Sequence, residues 1–266
     1  MSPDICIRFT DAVVRAPADS VANGLRIADS GDPDPGRFRD EHNAYCAALR
    51  AAGVYVHELA PLDAYPDSVF VEDPALVLPQ GAIMLRPGTA SRRGEADALA
   101  DDLAQWMPIR HRISEGAIDG GDVLITGREV VVGLSDRTDH AGFAALAAIL
   151  AEWDYPARLV EPPTGLLHLK TGCAILDRRT VLAIPSLASS DVFAEYEIVP
   201  VPQGEYAAAN AIRVNDHVIV AAGYPRTAEQ LRQAGYTVNT VPVTQAARID
   251  GGLSCMSLRF RRTTRT

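Results

Sequence analysis

The chain has 266 residues, 47% of them hydrophobic and 22% charged, with a formal net charge of −9. Such a composition suits a globular protein with a sizeable core. The acidic balance excludes broad attraction to nucleic acid or anionic membranes, which needs a basic face. A small-molecule cationic substrate suits this field better, so no nucleic-acid partner and no membrane are expected, and a homodimer stays open. Met1 is followed by Ser-Pro-Asp-Ile-Cys-Ile-Arg, without the basic start and apolar core of a secretory signal. No apolar run reaches the length that spans a bilayer. Cys6, Cys46, Cys173 and Cys255 show no CxxC spacing, so a reduced, cytoplasmic protein is the expectation.

In chain order, the first predicted strand covers residues 12–15. The Pro/Gly-rich stretch 29–36 is the one obvious long loop and reads as a lid. A helix over 38–52 and a strand over 54–58 follow. Glu72-Asp73 then opens a hairpin with strands over 75–78 and 82–85, turning at Pro79-Gln80-Gly81. Ser91 is placed to cap a helix over 92–106, which Pro108 stops, and a strand follows at 109–113.

The same order of elements then recurs. Asp119-Gly120-Gly121-Asp122 leads into strands over 123–126 and 130–134 and a helix over 138–153. After His168 come strands over 173–176 and 181–184 and a weaker helical stretch near 190–196. From Asn210, strands over 211–214 and 218–221 precede a helix over 227–234, opened by a Thr227/Gln230 capping box and ended by Gly235. Residues 253–260 supply a last strand that would pair with 12–15. Five ββαβ units of roughly 40 to 50 residues predict one catalytic α/β domain over residues 1–266. Its expected form is a five-bladed, pentameric β/α propeller closed by pairing of the two chain termini.

Aligning the units places Glu72-Asp73, Asp119, His168, Asn210 and Cys255 at one position, just ahead of the first strand of each hairpin. In a closed ring these positions converge into one candidate pocket. Cys255, preceded by Gly251-Gly252, is either a buried small hydrophobe or a nucleophile. A thiol near pKa 8.5 needs a cation or a base beside it, and a guanidinium substrate supplies that charge itself. His168 lies between apolar neighbours and reads either as a core histidine or as the acid and base that serves the leaving amine and then water. Asp119 either orients His168 or makes a turn, and Asp122 leans toward the turn.

Glu72 and Asp73 suit a planar cation with several N–H donors, the alternative being a solvated strand end. Arg92 and Arg137 follow the first two hairpins at matched places, which suits a clamp for a carboxylate rather than a helix start. There is no HExxH, no clustered Cys/His zinc spacing, no P-loop and no strand-coupled GxGxxG. Neither a metal nor a cofactor is expected.

Taken together, Phe70-Val71-Glu72-Asp73, Arg86-Pro87-Gly88 with Ser91-Arg92-Arg93, Asp119-Gly120-Gly121-Asp122-Val123-Leu124, Gly133-Leu134-Ser135 with Arg137-Thr138, Leu167-His168-Leu169-Lys170 and Asp250-Gly251-Gly252-Leu253-Ser254-Cys255 resemble the signature blocks of the dimethylarginine dimethylaminohydrolase family. They occur in order and span nearly the whole chain. The resemblance implies the β/α propeller of the guanidino-group-modifying enzymes. It also implies hydrolysis of asymmetric dimethylarginine or monomethylarginine to citrulline and a methylamine through a thiouronium on Cys255. His168 would then be proton donor and base, with Asp119 orienting it. Asp67, Glu72 and Asp73 would bind the guanidinium, Arg92 and Arg137 the α-carboxylate, and the backbone around Ile249-Asp250 the α-amino group. Leu25 would be the lid residue that touches substrate. Relatives with similar blocks include arginine deiminases and amidinotransferases, and a silent guanidino-binding protein would keep the same pocket.

Overall fold

A computed structural model describes residues 4–262 of the chain. The polypeptide builds five three-stranded sheets. The first elements are β1 (Asp11–Arg15), α1 (Pro35–Ala51) and β2 (Tyr55–Leu59). Next come β3 (Ala75–Leu78), β4 (Gly81–Met84), α2 (Arg93–Leu103) and β5 (Ile109–Arg112), then β6 (Val123–Ile125), β7 (Val130–Gly133), α3 (His140–Glu152) and β8 (Ala157–Val160). The third group is β9 (Cys173–Ile175), β10 (Thr180–Ala183), α4 (Pro185–Ala188) and β11 (Glu197–Pro200). The fourth is β12 (Ile212–Val214), β13 (His217–Ala221), α5 (Pro225–Gln233) and β14 (Thr237–Val241). The last strand, β15 (Leu258–Phe260), lies antiparallel beside β1, with Asp11 opposite Phe260 and Val13 opposite Leu258.

Every sheet follows one rule. A hairpin partner lies antiparallel to the middle strand, and the strand after the helix lies parallel to it on the other side. Middle strands such as β4 and β7 are buried along their whole length, because sheet neighbours cover their edges and both faces carry apolar side chains. The parallel outer strands are more exposed: β5 alternates between half-buried and exposed positions, and β11 is exposed at both ends. The helices cover the sheets through residues such as Leu99, Leu103, Leu146 and Leu150, all essentially without exposure. Truncating one such leucine to alanine typically costs about 2–5 kcal/mol. No helix among the described residues is long and apolar enough to cross a membrane.

Several boundaries depart from the sequence reading. Helix α1 begins at Pro35, with Asp34 accepting from the Arg37 amide at 2.7 Å, so the loop ends at Asp34 rather than Gly36. Ser91 caps nothing. It sits in a 3-10 turn (Ala90–Arg92) ahead of α2, and that tighter turn lets Arg92 reach Glu95. Asp139 caps α3 by accepting from the Gly142 amide at 2.7 Å.

The third unit has α4 and a 3-10 turn (Asp191–Phe193) in place of a helix over 190–196. Thr227 opens no capping box, because α5 starts two residues earlier on Pro225, whose fixed φ suits a first helical position. The Thr227 amide and hydroxyl both donate instead to Glu205, at 2.7 Å each. No residue range in the sequence reading corresponds to β8, β11 or β14. At the other end, 253–256 is a turn and only Leu258–Phe260 is strand.

Candidate active site

Short 3-10 turns precede three of the hairpins: Gly120–Asp122 before β6, Leu169–Thr171 before β9 and Tyr206–Ala209 before β12. Asp119 and His168 stand immediately before the first two turns and Asn210 immediately after the third. Each is therefore held at a corner rather than inside a strand, with its side chain free of the sheet ladder. Ten of the eleven site residues expected from sequence line one cavity: Cys255, His168 and Asp119, then Leu25, Asp67, Asp73, Arg92, Arg137, Ile249 and Asp250. Glu72 does not. A larger cavity of about 350 Å³ lies between residues 4–9 and 259–262, but no thiol or imidazole lines it. Chemistry rather than size marks the site.

His168 Nε2 lies 3.1 Å from Asp119 Oδ2, while Asp119 Oδ1 accepts from the Gly88 amide at 2.9 Å. The orienting carboxylate is thus itself oriented. The next turn of the same loop fixes the histidine from below. Asp122 is fully buried and accepts from Ser135 Oγ at 2.6 Å, Thr138 Oγ1 at 2.7 Å and the Leu169 amide at 2.9 Å. Asp122 is therefore an anchor for the His168 corner and more than a turn residue, a role that sequence reasoning missed. Its spacing three residues after Asp119 was the only available signal.

Gly121 packs against the imidazole, where an added Cβ would meet Nδ1 at 2.6 Å. The second glycine of Asp-Gly-Gly-Asp is thus required by the histidine as much as by the turn. Burial opposes a charge on His168, yet the Asp119 hydrogen bond and the Asp73 and Asp122 carboxylates hold it up at about 9. It is protonated at neutral pH. Asp73, Asp119 and His168 place three ligand atoms within 4.8 Å of one another, so a cation could be drawn there. A metal there would first have to displace the imidazole proton.

Cys255 begins no strand. It sits in the turn over 253–256, and its carbonyl accepts from the Glu72 amide at 3.1 Å. Burial pushes its thiol up to about 12, and the carboxylates of Asp73 and Glu72 push the same way. At rest it is a neutral thiol.

The adjacent carboxylates part company. Asp73 faces the cavity, donated to by the Gly121 amide at 3.1 Å and by Arg92. Glu72 lies against Lys170 Nζ at 2.6 Å and Arg259 Nη2 at 3.5 Å. The expected joint grip of both on one substrate is corrected accordingly, because two half-buried cations already compensate Glu72.

Arg92 lines the cavity but is buried, and most of its donors are committed. Nε and Nη2 go to Glu95, Nη1 to Asp73, and Nη2 also to the Phe70 carbonyl at 3.1 Å. Arg137 differs: it is half-buried, and its guanidinium has no hydrogen bond or ion pair among the described residues. Asp67 is pushed up by burial, which the nearby Arg92 charge partly offsets.

The segment after residue 23 closes over the cavity. The Leu25 amide donates to Asp67 Oδ1 at 2.9 Å, and the Ile27 amide donates to Asp250 Oδ2 at 2.5 Å. Arg248 Nη1 ties down the Ser30 carbonyl at 2.8 Å. Only about 30 Å³ of free space remains inside. Asp250 adopts the left-handed region at φ 57°, which turns the chain sharply into Gly251.

The arginine deiminase family model matches residues 61–208, just over half of the chain. A dimethylarginine dimethylaminohydrolase of Pseudomonas aeruginosa is 39% identical over 254 residues, which are 95% of this chain and 100% of that relative. The chain belongs to the dimethylarginine dimethylaminohydrolase family. The Pseudomonas aeruginosa family member has been solved as a cysteine-to-serine variant complexed with citrulline. It superposes with a TM-score of 0.92 at 38% identity, covering 95% of this chain and 100% of its own. Another family structure, a histidine-to-glycine variant in adduct with S-methyl-L-thiocitrulline, gives 0.91 at 38% identity over the same shares.

Proposed function

We propose that this family member hydrolyses Nω-methylated arginines, asymmetric dimethylarginine and monomethylarginine, to citrulline and a methylamine. Its form would be a single catalytic domain over residues 1–266, a closed five-bladed β/α propeller whose two chain ends meet through β15 and β1. The observation that carries this reading is one cavity holding Cys255, the His168–Asp119 pair, three further carboxylates and an unpartnered arginine. Such a site matches a molecule with a planar cation at one end and a carboxylate at the other. The relatives that bear the family name, with their citrulline and thiocitrulline complexes, support it.

In this mechanism the guanidinium lies between Asp67 and Asp73, which fix its plane through charge-assisted hydrogen bonds. Its positive charge next to Cys255 offsets the burial and the carboxylates that hold the thiol neutral, so binding itself favours loss of the proton to solvent, His168 being already protonated. The thiolate attacks the guanidinium carbon. As the C–N bond to the methylamine breaks, His168 gives that nitrogen its proton, leaving an S-alkylthiouronium on Cys255. The neutral imidazole then takes a proton from water as the water attacks the same carbon. The C–S bond breaks, and citrulline and the thiol are restored. Asp119 keeps the imidazole oriented throughout.

Arg137, with Arg92 behind it, receives the α-carboxylate. The Ile249 carbonyl and Asp250 receive the α-amino group, and Leu25 covers the methylene chain. None of the four described cysteines is in a disulfide, which suits a reducing cytoplasm.

Incubating the purified protein with asymmetric dimethylarginine, monomethylarginine and arginine, and assaying citrulline together with the released amine, tests the reading. Citrulline from methylated arginines is expected. Turnover of arginine alone would make the protein a deiminase, and no product from any of the three would make it a guanidino-binding protein.

A further inference from the structure

Of the five positions that the repeat places ahead of the hairpins, only that of Asn210 supplies no side chain to the reaction just described, and Asn210 does not line the cavity. Its side chain nonetheless has three partners in the two corners that do. Nδ2 donates to the Lys170 carbonyl at 2.9 Å and to Ser254 Oγ at 3.1 Å, and Oδ1 accepts from the Ser254 amide at 2.9 Å. Lys170 is two residues beyond His168, and Ser254 is the neighbour of Cys255. One amide therefore joins the corner of the proton donor to the turn of the nucleophile, across 40 and 44 residues of sequence.

The turn that it grips is held at its carbonyls by Tyr45, whose hydroxyl donates to Leu253 at 2.9 Å, and by Arg259 Nη1 on Ser254 at 3.4 Å, while Asn210 takes the Ser254 amide and hydroxyl. Cys255 stands in neither a helix nor a strand, and it is preceded by a left-handed Asp250 and by Gly251-Gly252, the most permissive backbone in the chain. The backbone approaches Asn210 so closely that a Cβ on Gly252 would meet Oδ1 at 2.5 Å. The Glu72 amide holds the Cys255 carbonyl from the opposite side at 3.1 Å. Asn210 and Glu72 thus clamp Ser254-Cys255 from two directions.

We propose that Asn210 is a positioning residue for the reaction, fixing the Ser254-Cys255 turn so that Sγ meets the guanidinium carbon in attack geometry; this rests on the cysteine mechanism proposed above. A small misplacement of reacting atoms can lower a rate about a hundredfold without touching substrate affinity. Asparagine is the residue type that does this work, since it supplies an acceptor for the Ser254 amide and two donors, one for the Lys170 carbonyl and one for Ser254 Oγ. Aspartate keeps the acceptor and loses both donors.

The test is steady-state kinetics of the full chain. Asn210→Ala is expected to lower kcat about 10- to 100-fold with KM changed less than about threefold. Asn210→Asp, which also serves if the alanine variant is insoluble, should fall between it and the wild type. Gly252→Ala should lose kcat through its clash with Oδ1, and adding Asn210→Ala to it should cost less than the product of the two single effects.

A kcat for soluble Asn210→Ala and Asn210→Asp within threefold of wild type would overturn the inference. So would a KM that rises in step with the fall in kcat, or strict additivity with Gly252→Ala. Cys255→Ser is run beside them. If that variant still turns over, the cysteine mechanism itself has failed, whereas a dead Cys255→Ser with a healthy Asn210→Ala removes only the role of Asn210.

Discussion

Cys173 and Cys255 make a useful pair, because by the usual measures they are the same residue. Both are buried, both follow a 3-10 or turn corner at the head of a hairpin, and burial pushes both thiols up to about 12. Cys173 then enters β9, lies within the apolar core with Leu176, Val181 and Leu187, and its thiol donates to the Leu169 carbonyl at 3.3 Å. Cys255 stays in its turn and lines a cavity with an imidazolium and four carboxylates. Neither burial nor proton affinity therefore separates a structural thiol from a reactive one in this molecule. What separates them is whether a cation can arrive beside the sulfur, since only that can make a thiolate of a buried thiol near neutral pH.

Replacing each cysteine in turn tests that distinction most severely. Cys255→Ser should lose turnover by about a thousandfold or more, as removal of a nucleophile does. Cys173→Ser should stay within about threefold of wild-type kcat and lose only stability, because its hydroxyl can still donate to the Leu169 carbonyl. A comparable loss of kcat in both, measured by citrulline formation, would erase the contrast.

The arriving cation must be aimed, and Arg137 is the residue free to aim it from the other end. Charge-assisted hydrogen bonds of about 1.5–3 kcal/mol correspond to a loss of ten- to several-hundredfold in kcat/KM for Arg137→Ala on a methylated arginine. The same variant should barely affect a decarboxylated analogue, which lacks the contact already. An equal penalty on both compounds would remove Arg137 from the carboxylate end.

The pH profile sharpens the contrast further. His168 is held up at about 9, so expulsion of the amine should weaken as pH rises through about 9. Asp119→Asn removes a partner that raises this value, so the alkaline limb should move to lower pH, with about a tenfold loss of kcat at pH 8. Folding is linked with the same sign. A folded-state pKa raised above the ordinary 6.5 contributes stability that is complete below 6.5 and lost as pH climbs through about 9. An unmoved limb in Asp119→Asn would mean that Asp73 and Asp122 alone hold the proton.

Legibility in the sequence tracked burial. The hairpins β3–β4 and β6–β7 were readable because their middle strands are unbroken apolar runs between Gly and Pro punctuation. Strands β8, β11 and β14 were not, since each pairs at a sheet margin with at most one buried position and little contrast to read. Cap residues misled at Ser91 and Thr227 because tertiary partners, Glu95 acting through Arg92 and Glu205 directly, decided where those helices begin. Within the site, residue types that announce chemistry were found. The split of Glu72 from Asp73 was invisible, because it depends on Lys170 and Arg259 arriving from elsewhere in the chain.

Thr227 offers the smallest effect and the control for all the others. Its bonds to Glu205 are as short as that of Thr138 to Asp122 in the site, yet no cavity with a thiol or imidazole adjoins them. Burial alone would raise the Glu205 carboxyl, but the Thr227 and Arg226 donors outweigh it and hold the group at about 2. A depressed value contributes stability that is complete above about 4.5 and lost as pH falls through about 2. Thr227→Ala removes one of those donors and should cost about 1.5 kcal/mol, a fall in Tm of about 3–6 °C at pH 7. That deficit should shrink as the medium is acidified, while kcat at neutral pH stays within twofold. Glu205 also stands immediately before the Tyr206–Ala209 turn that ends at Asn210. A tenfold loss of kcat in Thr227→Ala with little change in Tm would therefore mean that the α5 cap reaches Cys255 through Asn210, and the line drawn between structural and reactive neighbourhoods would have to move outward to include it.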